Sequence, residues 1–385
     1  MEFHISVERG GAALENLVPH WEELAAQALE PNPLYEHWML RPALELLVDG
    51  QAPELLCVWR RGKLRALLPV QSVSRYKGLP VRALSVWRHR HCLIGTPLLH
   101  PDDPAQALAA LLRWMKNESR ASVLEFNYFT AGGPFHQALV DALNECGMRS
   151  RAADSFTRGV LRRDRDAEAY ITSAMSADSR GKLRRVERRL QEQGELRRRT
   201  LQPGDDVGRW IGEFLRVEAS GWKGQRGSAL VCNDRNRQFG TEVFTRAFER
   251  GRLVMVGLDL DGRPIARYTA FVAGEGAFVF KTAYEEEFRK FSPGILAELE
   301  MIRAFHEREG VQWMDSLTTA GNSTIDRLWR HRCVIQQQLA VGIDARGALA
   351  IAAVPLLKWL AGLAPAPFRR RASGPRAVRP MPAQA

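Results

Sequence analysis

The sequence predicts an α/β protein of the α+β mixed-sheet kind, built as two lobes in which similar elements follow in similar order. Three observations carry this. Apolar runs at Leu55–Trp59 and Leu64–Val70 flank Arg61-Gly62-Lys63, and runs at Leu253–Leu260 and Ile265–Val272 flank Asp261-Gly262-Arg263-Pro264, so each half holds a Gly-turn hairpin. A further strand, then helices and strands in alternation, follows each hairpin. The 385 residues, 45% hydrophobic and 26% charged, suffice for two ordinary domains with sizeable cores.

In the first half a third strand is expected at Arg82–Val86, then a helix from Pro104 to Asn117, a strand at Val123–Phe126 and a helix from Pro134 to Glu145 closed by Gly147. In the second half helical patterns occupy Ala167–Ala174, Ser179–Gln193 and Asp206–Ser220, ahead of the hairpin and a third strand at Ala277–Ala283. A helix at Gly294–Glu309, a strand at Gln312–Asp315, a short helix at Thr324–Arg330 and a strand at Cys333–Val341 complete it. This order implies an internal duplication without a readable sequence repeat. The expected division is 1–155, 156–345, and a tail of apolar helix and disordered basic end at 346–385.

Charge is unevenly placed. From Arg346 onward there are Lys358 and six arginines with no acid, +7 of the net +11, which leaves +4 for the rest. Arg180–Arg199 holds nine basic residues against Glu187, Glu192 and Glu195. Leu183, Val186 and Leu190 give that helix one apolar stripe for docking, and its remaining face, with Arg184 and Arg185, suits a polyanion. Cys57, Cys92, Cys146, Cys232 and Cys333 form no C-x-x-C pair, which argues against a disulfide framework or a structural zinc. With no secretory pattern at Met-Glu-Phe-His-Ile, a cytoplasmic location is expected.

The most informative stretch is Lys281-Thr-Ala-Tyr284-Glu-Glu-Glu-Phe-Arg289-Lys290-Phe-Ser292-Pro293-Gly294. It reads as a strand ending in polar residues, a basic loop, and a helix opened by Ser292 as N-cap with Pro293 at the first position. The amides of Gly294 to Leu296 would then face outward with the helix dipole behind them, beside Arg289 and Lys290: an anion site.

The order of elements, with this loop between the third meander strand and the next helix, resembles the GNAT acyltransferase fold. Gly221-Trp222-Lys223-Gly224, Asp261-Gly262-Arg263-Pro264-Ile265-Ala266, Lys281-Thr-Ala-Tyr284, Ser292-Pro293-Gly294 and Asp315-Ser316 resemble the bacterial acetyltransferase branch associated with cellulose-biosynthesis CelD proteins, related to the FemAB peptidyltransferases. The resemblance runs from about Asn32-Pro33, through Leu68-Pro69 and Gly95-Thr96-Pro97-Leu98-Leu99, to Arg332. It implies tandem GNAT-like lobes, the second complete and the first reduced. It also implies an acetyl-CoA or acyl-CoA donor whose pyrophosphate rests on Arg289, Lys290, Ser292, Gly294 and Ile295, with no metal. Ser292 stands where such loops carry their first Gly, and Pro293 removes one amide donor, so a FemAB-like aminoacyl-tRNA donor stays open. So does a catalytically inactive module of exopolysaccharide biosynthesis.

For acyl transfer to an amine or hydroxyl of a sugar, polysaccharide or envelope precursor, Glu218 is the base candidate and Tyr284 the acid for the leaving thiolate. Lys281, out of place in an apolar strand, pairs with Glu218 or Asp315 in the cleft version. Trp222, Lys223, Arg184, Arg185 and Asp315 are the acceptor-side candidates. Each has a bland counterpart: a salt-bridged Glu218, a half-buried Tyr284 hydroxyl, a snorkelling Lys281, a plain helix start at Ser292, a capping Asp315. The expected partners are a small-molecule or glycan acceptor, with nucleic acid entering only as tRNA in the alternative. The tail adds an anionic membrane surface: Ala348–Ala364 is apolar but for Lys358, too short at 17 residues to span a bilayer, and followed by Arg369, Arg370 and Arg371. The other reading of the tail is a terminal helix packed on the domain.

Overall fold

A computed structural model describes residues 2–363. The first half contributes β1 (His4–Glu8), β2 (Glu54–Arg60), β3 (Lys63–Val73), β4 (Ala83–Val86), β5 (Leu98–Leu99), β6 (Val123–Thr130) and β7 (Arg149–Arg162). The second contributes β8 (Leu196–Thr200), β9 (Leu253–Leu260), β10 (Arg263–Ala273), β11 (Gly276–Tyr284), β12 (Trp313–Asp315) and β13 (His331–Gly342). Between them lie α1 (Gly11–Ala26), α2 (His37–Leu46), α3 (Pro104–Glu118), α4 (Pro134–Cys146), α5 (Ala167–Ala174) and α6 (Ala177–Gln191). The second half adds α7 (Val207–Ser220), α8 (Trp222–Gln225), α9 (Asp234–Glu249), α10 (Pro293–Glu307), α11 (Ser323–Leu328) and α12 (Ala345–Leu363).

All the strands join one mixed sheet in the order β1-β2-β3-β4-β6-β13-β7-β12-β11-β10-β9-β8, with β5 beside β3. The order is a palindrome in pairing type. From either edge come antiparallel pairs, then one parallel pair, β4 with β6 on one side and β11 with β12 on the other. The two hairpins also share their fine geometry. Arg61 and Gly62, at φ 53° and 71°, match Asp261 and Gly262, at 49° and 75°, the two left-handed residues of a type I′ turn. The same bulge follows each turn: register passes from Trp59↔Leu64 to Val58↔Ala66, and from Asp259↔Pro264 to Leu258↔Ala266, which leaves Arg65 and Ile265 as the extra residues. These coincidences agree with the duplication that element order suggested. The first copy is the smaller: β4 has four residues where β11 has nine.

The copies exchange their last strands. β7, which ends the first copy, pairs with β12 of the second, while β13, which ends the second, pairs with β6 of the first. β7 and β13 pair with one another from His331↔Val160 to Gly342↔Arg149. The expected boundary at 155/156 therefore falls inside β7, and residues 331–342 belong to the sheet of the first lobe as much as to their own. The apolar core crosses the boundary too. One continuous cluster joins Trp21, Trp38 and Phe126 to Phe214, Phe244 and Phe271, and Trp38 meets Phe271 edge to face at 5.8 Å. A second cluster on the other side of the second half packs α10 on β9 and β10 through Met301, Ile302 and Phe305.

Local starts follow side-chain chemistry. Asp206 accepts the amide of Arg209 to open α7, Ser176 that of Ser179 to open α6, and Gly147 closes α4 at φ 62°. On α6, Leu190 is buried and Leu183 and Val186 are half-buried against the second core, as the stripe required. No helix among the described residues is long and apolar enough to cross a membrane. The sequence past Leu363, with the arginine cluster, lies outside the described residues.

Candidate active site

α7 enters the second half with a strongly amphipathic pattern and carries Glu218 on its buried face, 2% exposed. Its carboxylate is fully engaged. Oε2 accepts the Leu230 amide at 2.8 Å, and Oε1 faces Lys281 Nζ at 3.1 Å and Lys223 Nζ at 3.6 Å. A carboxylate removed from water needs such partners, and two ammonium groups with one amide supply them. Lys281 is thereby explained: it leaves the apolar strand β11 to pair with Glu218 across the cleft.

Lys223 sits just past Gly221, on the one-turn α8, whose backbone is held close. A Cβ on Gly224 would meet the Ala219 carbonyl oxygen at 1.8 Å. The Lys223 ammonium donates to the Thr282 carbonyl at 2.6 Å. Burial and the neighbouring Lys281 cation push its pKa from 10.5 down to about 8, against the pull of Glu218. Trp222, 45% exposed, forms the rim with the Arg226 guanidinium over its ring at 5.3 Å.

Glu218, Trp222, Lys223, Thr282 and Tyr284 line one cleft of about 80 Å³. Burial and the Glu286 carboxylate hold the Tyr284 hydroxyl above its usual range, despite Arg289, so it stays protonated at neutral pH. Its ring lies against the start of α10, 3.2 Å from where a Cβ on Gly294 would sit. The cleft and the loop after β11 are thus continuous.

The loop itself differs from expectation. Ser292 caps α10 in the left-handed conformation, φ 52° and ψ 46°, without a side-chain bond. Its carbonyl accepts the amides of both Ile295 and Leu296, at 3.0 and 3.1 Å, so these do not face outward. Only the Gly294 amide has no acceptor among the described residues. Arg289 and Lys290 are exposed beside it, Lys290 over the Phe291 ring at 4.9 Å. Any anion held here rests on one amide and two flexible cations rather than on a run of amides. Arg184 and Arg185 are exposed on α6, which packs against this turn, and so extend the basic surface outside the cleft.

Asp315 lies apart. It is buried, and both its oxygens meet Arg158 of β7, fully enclosed, at 2.7 Å, while its Oδ1 also accepts the Leu317 amide. It ties β12 to the exchanged strand and is not among the residues that line the cleft.

The first copy has the same helix start with the opposite charge. Asp103 caps α3 in the left-handed conformation, φ 55°, followed by Pro104, but its carboxylate pairs with Arg60 and neighbouring Asp102 faces Arg65. An acid there repels an anion. The segment 87–97 of the first copy instead reaches the second. His91 stacks on Phe239 at 6.0 Å, lies 6.4 Å from Phe280 and shares its Nε2 with Asn236 Oδ1 at 3.3 Å. Burial, then the Lys281 cation, pushes its pKa down to about 3, so a neutral imidazole stands behind the lysines. Sequence reasoning missed His91. The only signal was the Arg88-His89-Arg90-His91 run, in what read as a connecting loop.

Residues 177–324 match the model of the acetyltransferase (GNAT) domain. No curated protein matches the sequence. Among solved structures, FemX superposes with a TM-score of 0.56 at 11% identity, covering 87% of this chain and 96% of that one. The C-terminal domain of a putative lysylphosphatidylglycerol synthetase from Agrobacterium fabrum gives 0.50 at 12%, over 89% and 96% of the two chains. L-PGS from Bacillus licheniformis gives 0.50 at 12%, with the same coverage. At these identities the likeness is one of fold. The matched stretch begins at α6, ends in α11 and contains the whole cleft, so this is the part of the chain that is similar to an acetyltransferase (GNAT) domain.

Proposed function

We propose that the cleft of the second lobe transfers an acyl group from a CoA thioester to an amine or hydroxyl acceptor. The observation that carries this is the continuity of the Glu218–Lys223–Lys281 cluster with Tyr284 and the Gly294 amide. A donor whose phosphates rest on Arg289, Lys290 and the Gly294 amide brings its thioester to Tyr284. Because both oxygens of Glu218 are occupied, we read it as the group that orients the lysines. Lys223, with its pKa near pH 8, takes the acceptor's proton, and the two ammonium groups favour the oxyanion of the tetrahedral intermediate. The Tyr284 hydroxyl returns a proton to the departing thiolate. Trp222 closes the acceptor side.

The acceptor class, a sugar, polysaccharide or envelope precursor, follows from the resemblance to the CelD-associated branch. A second reading, an aminoacyl-tRNA donor, draws on the sparse amides of the loop and on the Arg184 and Arg185 face beside it, together with the fold likeness to FemX. Calorimetry with acetyl-CoA and longer acyl-CoA, followed by a CoA-release assay in which a metabolite extract supplies acceptors, tests the first reading. Saturable binding and acceptor-dependent release support it. No saturable binding of any CoA ester sinks it, and selective binding of charged over uncharged tRNA replaces it with the second.

A further inference from the structure

α12 packs on the sheet through Ala350, Ile351 and Val354, yet its outer face is apolar as well. Leu349 is 73% exposed, Leu356 58% and Trp359 61%, and with Ala352 they recur at steps of three and four residues, one stripe along the helix. Monomeric proteins rarely leave such a stripe in water without use. Along it runs a groove of about 290 Å³ whose far wall is β7. That wall carries Arg149 and Arg151, two positions apart on one strand face and both exposed, Arg151 near enough to the Tyr76 hydroxyl to act on it electrostatically. Arg346 is exposed in the first turn of the helix. The sequence beyond residue 363 adds five arginines and no acid.

An apolar stripe edged by exposed guanidinium groups matches a surface that offers hydrocarbon and phosphate together. We propose that α12 lies in the plane of an anionic membrane, with Leu349, Leu356 and Trp359 at the acyl boundary and Arg149 and Arg151 on lipid phosphates. The arginines select the membrane over a second copy of the chain, because a symmetric pairing of this face would bring like charges together. The helix does not cross: with Pro355 inside it and no long apolar window, it has the character of an interfacial helix rather than a span.

Flotation of the full chain with phosphatidylcholine vesicles containing phosphatidylglycerol, against phosphatidylcholine alone, tests the proposal. The expected result is binding to the anionic vesicles only, weakening as salt rises. Arg149→Gln with Arg151→Gln should weaken it roughly thirty-fold, from the attraction of each Arg to an anionic surface. Leu349→Ser with Trp359→Ser should weaken it at least as much. All four side chains are exposed, so unchanged melting temperatures will show that the variants fold. Equal flotation with both vesicle types, none with either, or wild-type flotation by both variants overturns the proposal. So does a dimer in light scattering that Leu349→Ser dissolves.

Discussion

Lys223 is the residue whose ionisation the fold has changed most usefully. Its pKa is lower folded than unfolded, so unfolding takes up a proton between pH 8 and pH 10.5. The sign follows: this group's penalty is full below pH 8 and is relieved as pH rises through that window. Wild type should gain stability relative to Lys223→Met across it, measured by denaturant titration at each pH. Activity in our reading depends on the neutral amine, so kcat/KM should climb to a plateau above pH 8, and Lys223→Arg should remove the climb because guanidinium does not deprotonate. Glu218→Gln leaves two buried ammonium groups facing a neutral amide. Breaking a buried ion pair in this way costs about 3–5 kcal/mol, which calorimetric melting would register. The Glu218–Lys281 pairing was legible in sequence because a lysine in Phe278-Val-Phe-Lys-Thr-Ala-Tyr needs an acid. The pairing of Asp315 with Arg158 was not legible, because Arg158 lies on a strand whose sequence carries no apolar alternation.

Among the elements, α10 shows how far local rules reach. Ser-Pro-Gly announced a helix start, and one forms, but Pro293 leaves Ser292 in the left-handed region and so turns its carbonyl onto the next amides. A non-Gly residue there costs about 1–2 kcal/mol. Ser292→Gly should therefore raise stability by up to about 1 kcal/mol in thermal melts, the remainder being offset by the greater freedom of glycine when unfolded. Donor affinity should stay unchanged, since the Ser292 amide already bonds the Arg289 carbonyl. The amphipathic helices and the apolar strands β2, β3, β9, β10 and β11 were readable from periodicity. β7 was not: Arg-Ser-Arg-Ala-Ala-Asp-Ser-Phe-Thr pairs by backbone with β13 while most of its side chains face water, so nothing in its polarity marks a strand. α9 also escaped, because its six charged residues outnumber its five apolar ones and mask the buried face of Phe239, Val243, Phe244 and Ala247.

For the whole molecule, the exchange of β7 and β13 joins what sequence order would separate. Neither lobe closes its sheet alone, and the larger apolar cluster draws on both. Residues 1–155 expressed alone should remain unfolded or aggregate, while fragments cut in the exposed link at Asp164–Arg165 should assemble when co-expressed. Native mass spectrometry and circular dichroism would show either outcome. Denaturation of the intact chain should accordingly be one transition rather than two.

The exchange also sets a clock on synthesis. β6 ends at Thr130 and its native neighbour β13 begins at His331, so some 200 residues must leave the ribosome before that edge is covered. At about 5–20 residues per second the wait is of order 10–40 s. Throughout it the nascent chain holds an open sheet edge, with β7 following after α4. Correct assembly must keep that edge free until β13 arrives, which makes the emerging first lobe the stage at which this chain most needs a chaperone.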